Sequence, residues 1–182
     1  MSKIIPRDFQ LDIKRSGVLT YKLFASQVLP VSQEQAFQFF KDPGNLCDIT
    51  PRSLDFCMLN KDSNPGVHEN AEFDYTIKFL GIKMLWRSRI IDYRPPERFT
   101  DVQLKGPYRS WVHLHLLEKV PEGTLMRDEV TYKLHISAIF LHPFLIRKRL
   151  IEIFTYRSVK IGRWAKDINL KTACWGDKQQ LQ

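Results

Sequence analysis

The chain has 182 residues and a mass of 21.5 kDa, which is the size of one domain with a substantial buried core. Hydrophobic residues make up 43% and charged residues 26% of the sequence, proportions that are typical of soluble globular proteins and exclude disordered and fibrous chains. The net charge is +8, and eight basic residues accompany two acidic ones between Pro143 and Lys171. We interpret this basic segment as a solvated helix face, with nucleic acid, anionic lipid or an acidic partner as alternatives.

The sequence shows no targeting signal and no disulfide pattern. Its start lacks the apolar stretch of a secretory signal, and no apolar run reaches the roughly 18 residues of a membrane-spanning helix, so we expect a cytoplasmic protein. Cys47, Cys57 and Cys174 are odd in number and include no CxxC pair. We expect reduced thiols rather than a disulfide framework or a structural zinc site.

The first fifty residues predict an arm, a strand and two short helices. Residues 1–18 show no clear periodicity and are interpreted as an extended or partly ordered arm, and the first strand is predicted over residues 21–28. Ser32 and Gln35 form a capping-box pattern, which predicts the start of a short amphipathic helix. A second short helical turn is expected at residues 45–49.

A period of two dominates the middle of the chain. In residues 71–79, apolar side chains alternate with polar ones, as a half-buried strand requires. By the same criterion, strands are predicted over residues 54–60, 71–79, 83–93, 99–105, 109–118 and 125–134. Glycine and proline stand between these runs, so the pattern predicts an antiparallel meander.

The period changes to that of a helix near Pro143. Seven apolar residues recur at intervals of three, four and seven: Ile146, Leu150, Ile153, Phe154, Ile161, Trp164 and Ile168. One helix of roughly 25 residues is therefore predicted, and its apolar stripe must be buried on the sheet. The expected α+β fold is a curved antiparallel sheet of about seven strands wrapped round a long C-terminal helix. Its domain is expected to span residues 19–169, followed by a polar tail over residues 170–182.

Several stretches of the sequence resemble the START-like, or SRPBCC, superfamily, which has the helix-grip fold. The matching stretches are residues 29–51, 86–115, 123–132 and 153–164, and the resemblance covers about residues 20–168. It is strongest to a bacterial branch described as ligand-binding or polyketide-cyclase-like. The resemblance implies a cavity between the sheet and the long helix that binds an apolar or amphipathic small molecule. It implies no metal and no cofactor.

The strand parities predict which side chains line this cavity. Strand 109–118 has apolar residues on both faces, so the resemblance, rather than the periodicity, orients Trp111, His113 and His115 inward. The predicted aromatic lining consists of Phe73, Tyr75, Trp86, Phe99, Trp111 and Tyr132. The predicted polar lining consists of Asp101, Gln103, His113, His115 and Asp128, with Arg157 reaching in from the helix. These polar groups would orient a ligand.

The polar residues allow three interpretations. The aspartates and histidines could form an internal network that satisfies itself, or they could meet a ligand and water. A His-x-His pair on one strand face could also bind a metal with Asp101 or Asp128, but no third histidine lies at a characteristic spacing, so we assign no metal. Arg157 either extends to water with its stem packed, or pairs with an aspartate or an anionic ligand group.

The leading hypothesis is a carrier, sensor or sequestering protein for a hydrophobic or aromatic small molecule. The alternative is an enzyme similar to polyketide cyclases or aromatases, in which His113 or His115 is the general base and Asp101 or Asp128 holds its ring in one tautomer. The glycines are isolated, so no phosphate-binding loop is present, and no GxSxG motif occurs. Nucleic acid is not expected as a partner, because the basic surplus lies on the helix rather than on the aromatic strands.

A peripheral membrane contact is the second alternative. The stretch 138–146 contains Phe140, Leu141 and Phe144 directly before Arg147–Arg149. If these apolar side chains are exposed together, they form an apolar tip beside a basic cluster, which is what shallow membrane insertion uses. The competing expectation is that Ile139, Phe140 and Leu141 are buried under the helix.

Overall fold

The computed structural model describes residues 5–60, 66–79 and 81–179, with side chains to Leu170 except those of Phe79 and Ile139. Eight strands form one antiparallel sheet: β1 (Gln10–Gly17), β2 (Thr20–Leu29), β3 (Cys57–Met58), β4 (Glu72–Phe79), β5 (Ile82–Arg94), β6 (Arg98–Lys105), β7 (Ser110–Val120) and β8 (Gly123–Lys133). The strand order is β1-β2-β8-β7-β6-β5-β4-β3, so β2 joins the meander β3–β8 by pairing with its last strand. This is the predicted curved sheet with one additional strand.

The additional strand corrects the prediction of an N-terminal arm. Residues 10–17 pair with β2 from Gln10 opposite Ser26 to Gly17 opposite Thr20. Within β1 only Ile13 is buried, so the strand has no period-two pattern that the sequence could reveal. Backbone pairing with β2 attaches it to the sheet, and Ile13 and Leu11 add apolar contacts with the core.

In the described part of the chain, three α-helices accompany the sheet: α1 (Gln33–Lys41), α2 (Gly44–Asp48) and α3 (Arg147–Gln179). The predicted capping box is confirmed, because Ser32 Oγ accepts from the Gln35 backbone N–H at 3.2 Å and Gln35 Oε1 accepts from the Ser32 N–H at 3.0 Å. Gln33 then fastens α1 to the sheet, since its Nε2 donates to the Leu117 carbonyl at 2.7 Å.

The long helix differs from the prediction at both ends. A 3₁₀ turn (Ile136–Leu141) and a π turn (His142–Ile146) precede it, and α3 continues to Gln179 rather than ending near Asn169. The buried apolar residues of α3 that belong to the core clusters are Leu150, Phe154, Ile161 and Ala165. The domain boundaries at 19 and 169 stay a prediction, although β1 belongs to the same sheet.

The described residues cover the cysteine prediction only in part. Cys47 and Cys57 are both exposed, and Cys57 is a free thiol. The side chain of Cys174 lies outside the described residues.

Candidate functional site

A cavity of about 180 Å³ lies between the concave face of the sheet, α1, α2 and α3. Ten of the residues predicted to line it do so: Phe73, Tyr75, Trp86, Phe99, Asp101, Trp111, His113, His115, Asp128 and Arg157. The cavity is therefore walled mainly by aromatic and aliphatic side chains, and the two histidines of its wall lie on β7 between Asp101 of β6 and Asp128 of β8.

Two predicted lining residues lie elsewhere. Gln103 is occupied by the turn that follows β6, because its Nε2 donates to the Tyr108 carbonyl at 2.7 Å and its Oε1 accepts from the Tyr108 N–H at 3.3 Å. Tyr132 is fully buried behind the cavity wall, and a 2.7 Å hydrogen bond joins its hydroxyl to His142 Nε2. Both side chains make hydrogen bonds within the protein instead of lining the cavity, and the alternation of a strand cannot predict these bonds.

The prediction missed lining residues outside the strands. Tyr108 belongs to the turn between β6 and β7, where Gly106 and Pro107 predict only a loop. Its ring is nevertheless buried beside Trp86 and Trp111. The other residues missed include Phe39, Phe40, Phe56, Leu150, Ile153 and Phe154. Those on α1 and α3 belong to apolar helix faces that the periodicity had already identified, so that signal could have found them.

The structure resolves the orientation of β7. Trp111 and His113 are 7% and 3% exposed, whereas Val112 between them is 41% exposed. The register then places His113 opposite Asp101 on one side, and His115 opposite Asp128 on the other. Directly opposed residues in an antiparallel pair lie close enough to interact, so the strand pairing assembles these four side chains.

These four side chains form the Asp–His cluster: Asp101, His113, His115 and Asp128. Asp128 Oδ1 lies 2.9 Å from His113 Nε2 and 3.0 Å from His115 Nδ1. Asp101 Oδ2 lies 3.1 Å from His115 Nε2 and 3.4 Å from His113 Nδ1. The two imidazole rings are stacked at a tilt, with centroids 3.8 Å apart. Every ring nitrogen therefore faces a carboxylate oxygen.

The cluster perturbs its own pKa values. Burial would lower the pKa of His115, but its hydrogen bonds to both carboxylates outweigh this and raise it to about 9. Burial and the neighbouring His115 charge lower the pKa of His113, despite the bond to Asp128. Burial opposes ionisation of both aspartates, yet the histidines hold the pKa of each below its usual value. The favoured state at neutral pH has two carboxylates and one imidazolium.

Arg157 lies in the cavity wall on α3, where it interacts electrostatically with Asp101 but does not form the predicted direct ion pair. No ion pair joins it to a carboxylate within the described part of the chain, and its Nε is a buried atom with no hydrogen-bond partner there. Its guanidinium carbon lies 5.5 Å from the centre of the Phe154 ring. Trp86 on the facing sheet has the same property, because its buried Nε1 is also unpartnered. The cavity wall thus contains two donors that its own residues do not satisfy.

This geometry gives no support to general base catalysis. A histidine that acts as a base needs a ring nitrogen that can reach the substrate proton. In the cluster, both nitrogens of His113 and of His115 are held against Asp101 or Asp128. The cyclase or aromatase alternative therefore stays a prediction.

Solved structures share the fold. Protein Ms6760 from Mycobacterium smegmatis is 17% identical with a TM-score of 0.59, covering 87% of this chain and 99% of that protein. The di-domain aromatase/cyclase StfQ of the steffimycin biosynthetic pathway is 16% identical with a TM-score of 0.61, covering 85% of this chain and 52% of that one. Major latex-like protein 151 from Panax ginseng is 16% identical with a TM-score of 0.56, covering 78% and 97%.

These likenesses confirm the predicted helix-grip fold and nothing beyond the fold, because identities of 16–17% are too low to carry function with them. No protein-family model matches the sequence, and no curated protein matches it. Among the described helices, none combines the length and the hydrophobicity that crossing a bilayer requires.

Proposed function

We propose that the protein binds a small hydrophobic or aromatic molecule carrying an acceptor oxygen in its cavity. The observation that carries this proposal is a cavity of about 180 Å³ with a mainly apolar lining, bordered by buried residues of both hydrophobic clusters. An apolar cavity of about 150 Å³ in another protein stays dry and takes up benzene. A ligand with one aromatic ring and a short substituent therefore matches the volume.

Two buried N–H groups without hydrogen-bond partners among the described residues, on Arg157 and Trp86, are the reason to expect an acceptor oxygen on the ligand. A buried polar group without a partner costs about 1–3 kcal/mol, and a ligand oxygen could remove that cost at Arg157 Nε or Trp86 Nε1. The Asp–His cluster lies on the strands that face α3, and its members Asp101 and His115 also line the cavity. The ligand would thus place its ring among the aromatic side chains and its oxygen towards Arg157.

The test uses two matched variants of the full chain. Ser88 is small, buried and part of the cavity wall, so Ser88→Leu fills the cavity, whereas Val112→Leu adds apolar volume to the opposite, exposed face. The protein is first treated with EDTA to remove metal ions. Binding of phenol, benzoate and acetophenone is then screened by thermal shift and by tryptophan fluorescence. We expect at least one to stabilise the wild type and Val112→Leu, but not Ser88→Leu.

Native mass spectrometry of protein purified from its own host identifies the natural ligand class. An adduct lost in Ser88→Leu and kept in Val112→Leu supports the proposal. Equal responses of both variants to every probe, or a cavity that binds none of them and carries no adduct, contradict it.

A second candidate function is peripheral membrane binding, which the exposure of the segment before α3 favours. Phe140 is 83% and Phe144 is 76% exposed, against the expectation that Phe140 is buried. We define the apolar tip as the exposed residues Ile136, Phe140, Leu141, Phe144 and Leu145. Ile139, the other residue of that expectation, lies outside the described side chains.

The segment is held so that the tip must point outward. His142 and Ile146 are buried and anchor it to the core, while the residues between them face solvent. Arg147 and Lys148 follow directly and are exposed, whereas Arg149 is engaged by Glu152 at 2.7 Å and Ser53 at 3.3 Å. Each free cation contributes about 1 kcal/mol near an anionic bilayer, in addition to apolar insertion.

Co-sedimentation with vesicles tests this second candidate. We expect binding to phosphatidylserine-containing vesicles that weakens between low and physiological salt, and weaker binding to pure phosphatidylcholine. Phe140→Ser/Phe144→Ser is expected to abolish it. Val18→Ser/Ile82→Ser removes two similarly exposed apolar side chains elsewhere and serves as the control. Loss of binding in both double variants, or no binding by the wild type, contradicts the membrane proposal.

A further inference from the structure

The Asp–His cluster has the spacing of a metal site. One carboxylate oxygen of Asp101 and one nitrogen each of His113 and His115 lie within 4.8 Å of one another. The two contacts to Asp101 Oδ2 measure 3.1 Å from His115 Nε2 and 3.4 Å from His113 Nδ1. Ligand atoms held tetrahedrally at Zn–N and Zn–O lengths near 2.0–2.2 Å are roughly 3.2–3.6 Å apart. The 3.4 Å contact falls within this range and the 3.1 Å contact lies about 0.1 Å below it, so both are close to the edge lengths of a metal coordination shell.

The hydrogen count points to a missing cation. If His113 Nε2 and His115 Nδ1 each donate a proton to Asp128 Oδ1, the two remaining nitrogens direct lone pairs towards Asp101 Oδ2. A proton on His115 Nε2 satisfies one of these contacts and leaves the His113 lone pair facing a carboxylate. One cation between the three atoms satisfies them all.

Asp128 lies where it can accept hydrogen bonds from both histidines without contacting the metal ion itself. Metal-bound histidines usually donate the other ring N–H to a carboxylate, which fixes the tautomer and the ring orientation. Asp128 Oδ1 lies 2.9 and 3.0 Å from the two nitrogens that do not face Asp101, and the side chain is buried. Two histidines sharing one carboxylate in this way leave both metal-facing nitrogens unprotonated.

We propose that Asp101, His113 and His115 bind a divalent first-row transition metal ion, with Asp128 as the residue that orients both imidazoles. Three protein ligands leave a coordination position open, as in catalytic zinc sites, so a third histidine is not needed. Asp101 and His115 line the cavity, and each side chain is 16% exposed. The open position would face the cavity, where an oxygen donor of a small molecule or a water can reach it. This proposal does not depend on the proposed ligand, which is tested on protein treated with EDTA.

The first experiment uses Zn²⁺ and Co²⁺ on the full chain after treatment with EDTA. Calorimetric titration with Zn²⁺ is expected to show one saturable site per chain with a dissociation constant at or below the micromolar range. Co²⁺ is expected to give visible absorption bands of a low-symmetry site with nitrogen and oxygen ligands. X-ray absorption of the zinc-loaded wild type is expected to show two imidazole ligands.

Three variants separate ligation from adventitious binding. Asp101→Asn and His115→Ala should each weaken Zn²⁺ binding at least about 100-fold, whereas Asp128→Asn should keep the stoichiometry and weaken binding about 10–100-fold. His68→Ala, which removes an exposed histidine outside the cluster, should leave binding unchanged. Circular dichroism checks that each variant is folded.

The wild-type measurements keep the test decisive even if a variant misfolds. No saturable Zn²⁺ binding by the wild type overturns the proposal, and so does X-ray absorption without imidazole ligands. Binding that survives in folded Asp101→Asn and His115→Ala but is lost in His68→Ala would assign the ion to the surface and overturn it equally.

Discussion

At the scale of single residues, His142 decides how the surface beside α3 is presented. Its ring stacks on Tyr21 with centroids 3.6 Å apart, and its Nε2 shares a 2.7 Å hydrogen bond with the Tyr132 hydroxyl. Burial, and then the charge of Arg147, lower the pKa of His142. The folded protein therefore prefers the neutral ring, and this neutral ring anchors the segment that carries the apolar tip.

Acidification is expected to destabilise the protein through His142. A histidine of the unfolded chain takes up its proton near pH 6.5, whereas folded His142 resists protonation, so the unfolded state binds more protons as the pH falls below about 6.5. Above about pH 6.5, His142 therefore makes its full contribution to the free energy of unfolding. As the pH falls further, this contribution decreases by at most about 1.4 kcal/mol per pH unit, until the pH is below the pKa of the folded state.

Urea unfolding between about pH 5 and pH 8 measures this effect. His142→Gln should have a shallower dependence on pH than the wild type over the range below about pH 6.5. His135→Gln, a change at an exposed histidine, should parallel the wild type. An equally steep dependence in His142→Gln would show that the destabilisation arises at other groups.

At the scale of elements, the β7–β8 hairpin is set by one glycine. Gly123 has φ of +131°, and a Cβ there would overlap the Leu29 carbonyl oxygen and lie 3.1 Å from Pro30 Cα. The turn therefore passes directly against the end of β2, which pairs with β8. Only a residue without a side chain allows both the backbone angle and this close approach.

Gly123→Ala is expected to be much more destabilising than Gly81→Ala. Gly81 also has a positive φ, of +86°, but nothing lies within 4 Å of the position of its Cβ. Alanine at Gly81 should cost only the backbone strain of about 1–2 kcal/mol. Gly123→Ala should cost about 3 kcal/mol or more, since overpacking against a rigid backbone adds to that strain.

Denaturant unfolding of both variants checks the difference. Because the two substitutions are chemically identical, any change in the unfolded chain should be similar in both. Equal losses in the two variants would show that the contact with β2 does not constrain the hairpin.

At the scale of the whole molecule, residues of two apolar clusters border the cavity. One cluster contains Leu23, Leu150 and Phe154, and the other contains Phe37, Ile161 and Ala165. Arg157 lies on α3 between them, across the cavity from the sheet. The helix thus closes the core at both ends and leaves its middle turn free to meet a ligand, which would complete the packing and raise the thermal stability.

The candidate site was predictable wherever it depends on the alternation within a strand. Phe73, Tyr75 and Trp86 could be placed on the cavity wall because each strand alternates between a core face and a solvent face. Gln103 obeys the same parity, but its amide is taken by the Tyr108 backbone. Parity determines the direction of a side chain and not the partner that it meets.

By itself, the sequence determined the periods, the helix cap, the turns and hence the antiparallel sheet closed by a long helix, because these depend on residues within a few positions of one another. Tertiary structure alone decided the pairing of β1, whose single buried residue leaves no pattern, and the inward face of β7, where both faces are apolar. It also decided that His113 and His115 share two carboxylates and that Phe140 is exposed. These features depend on partners distant in the chain, and a local pattern carries no information about which distant strand or helix will lie opposite.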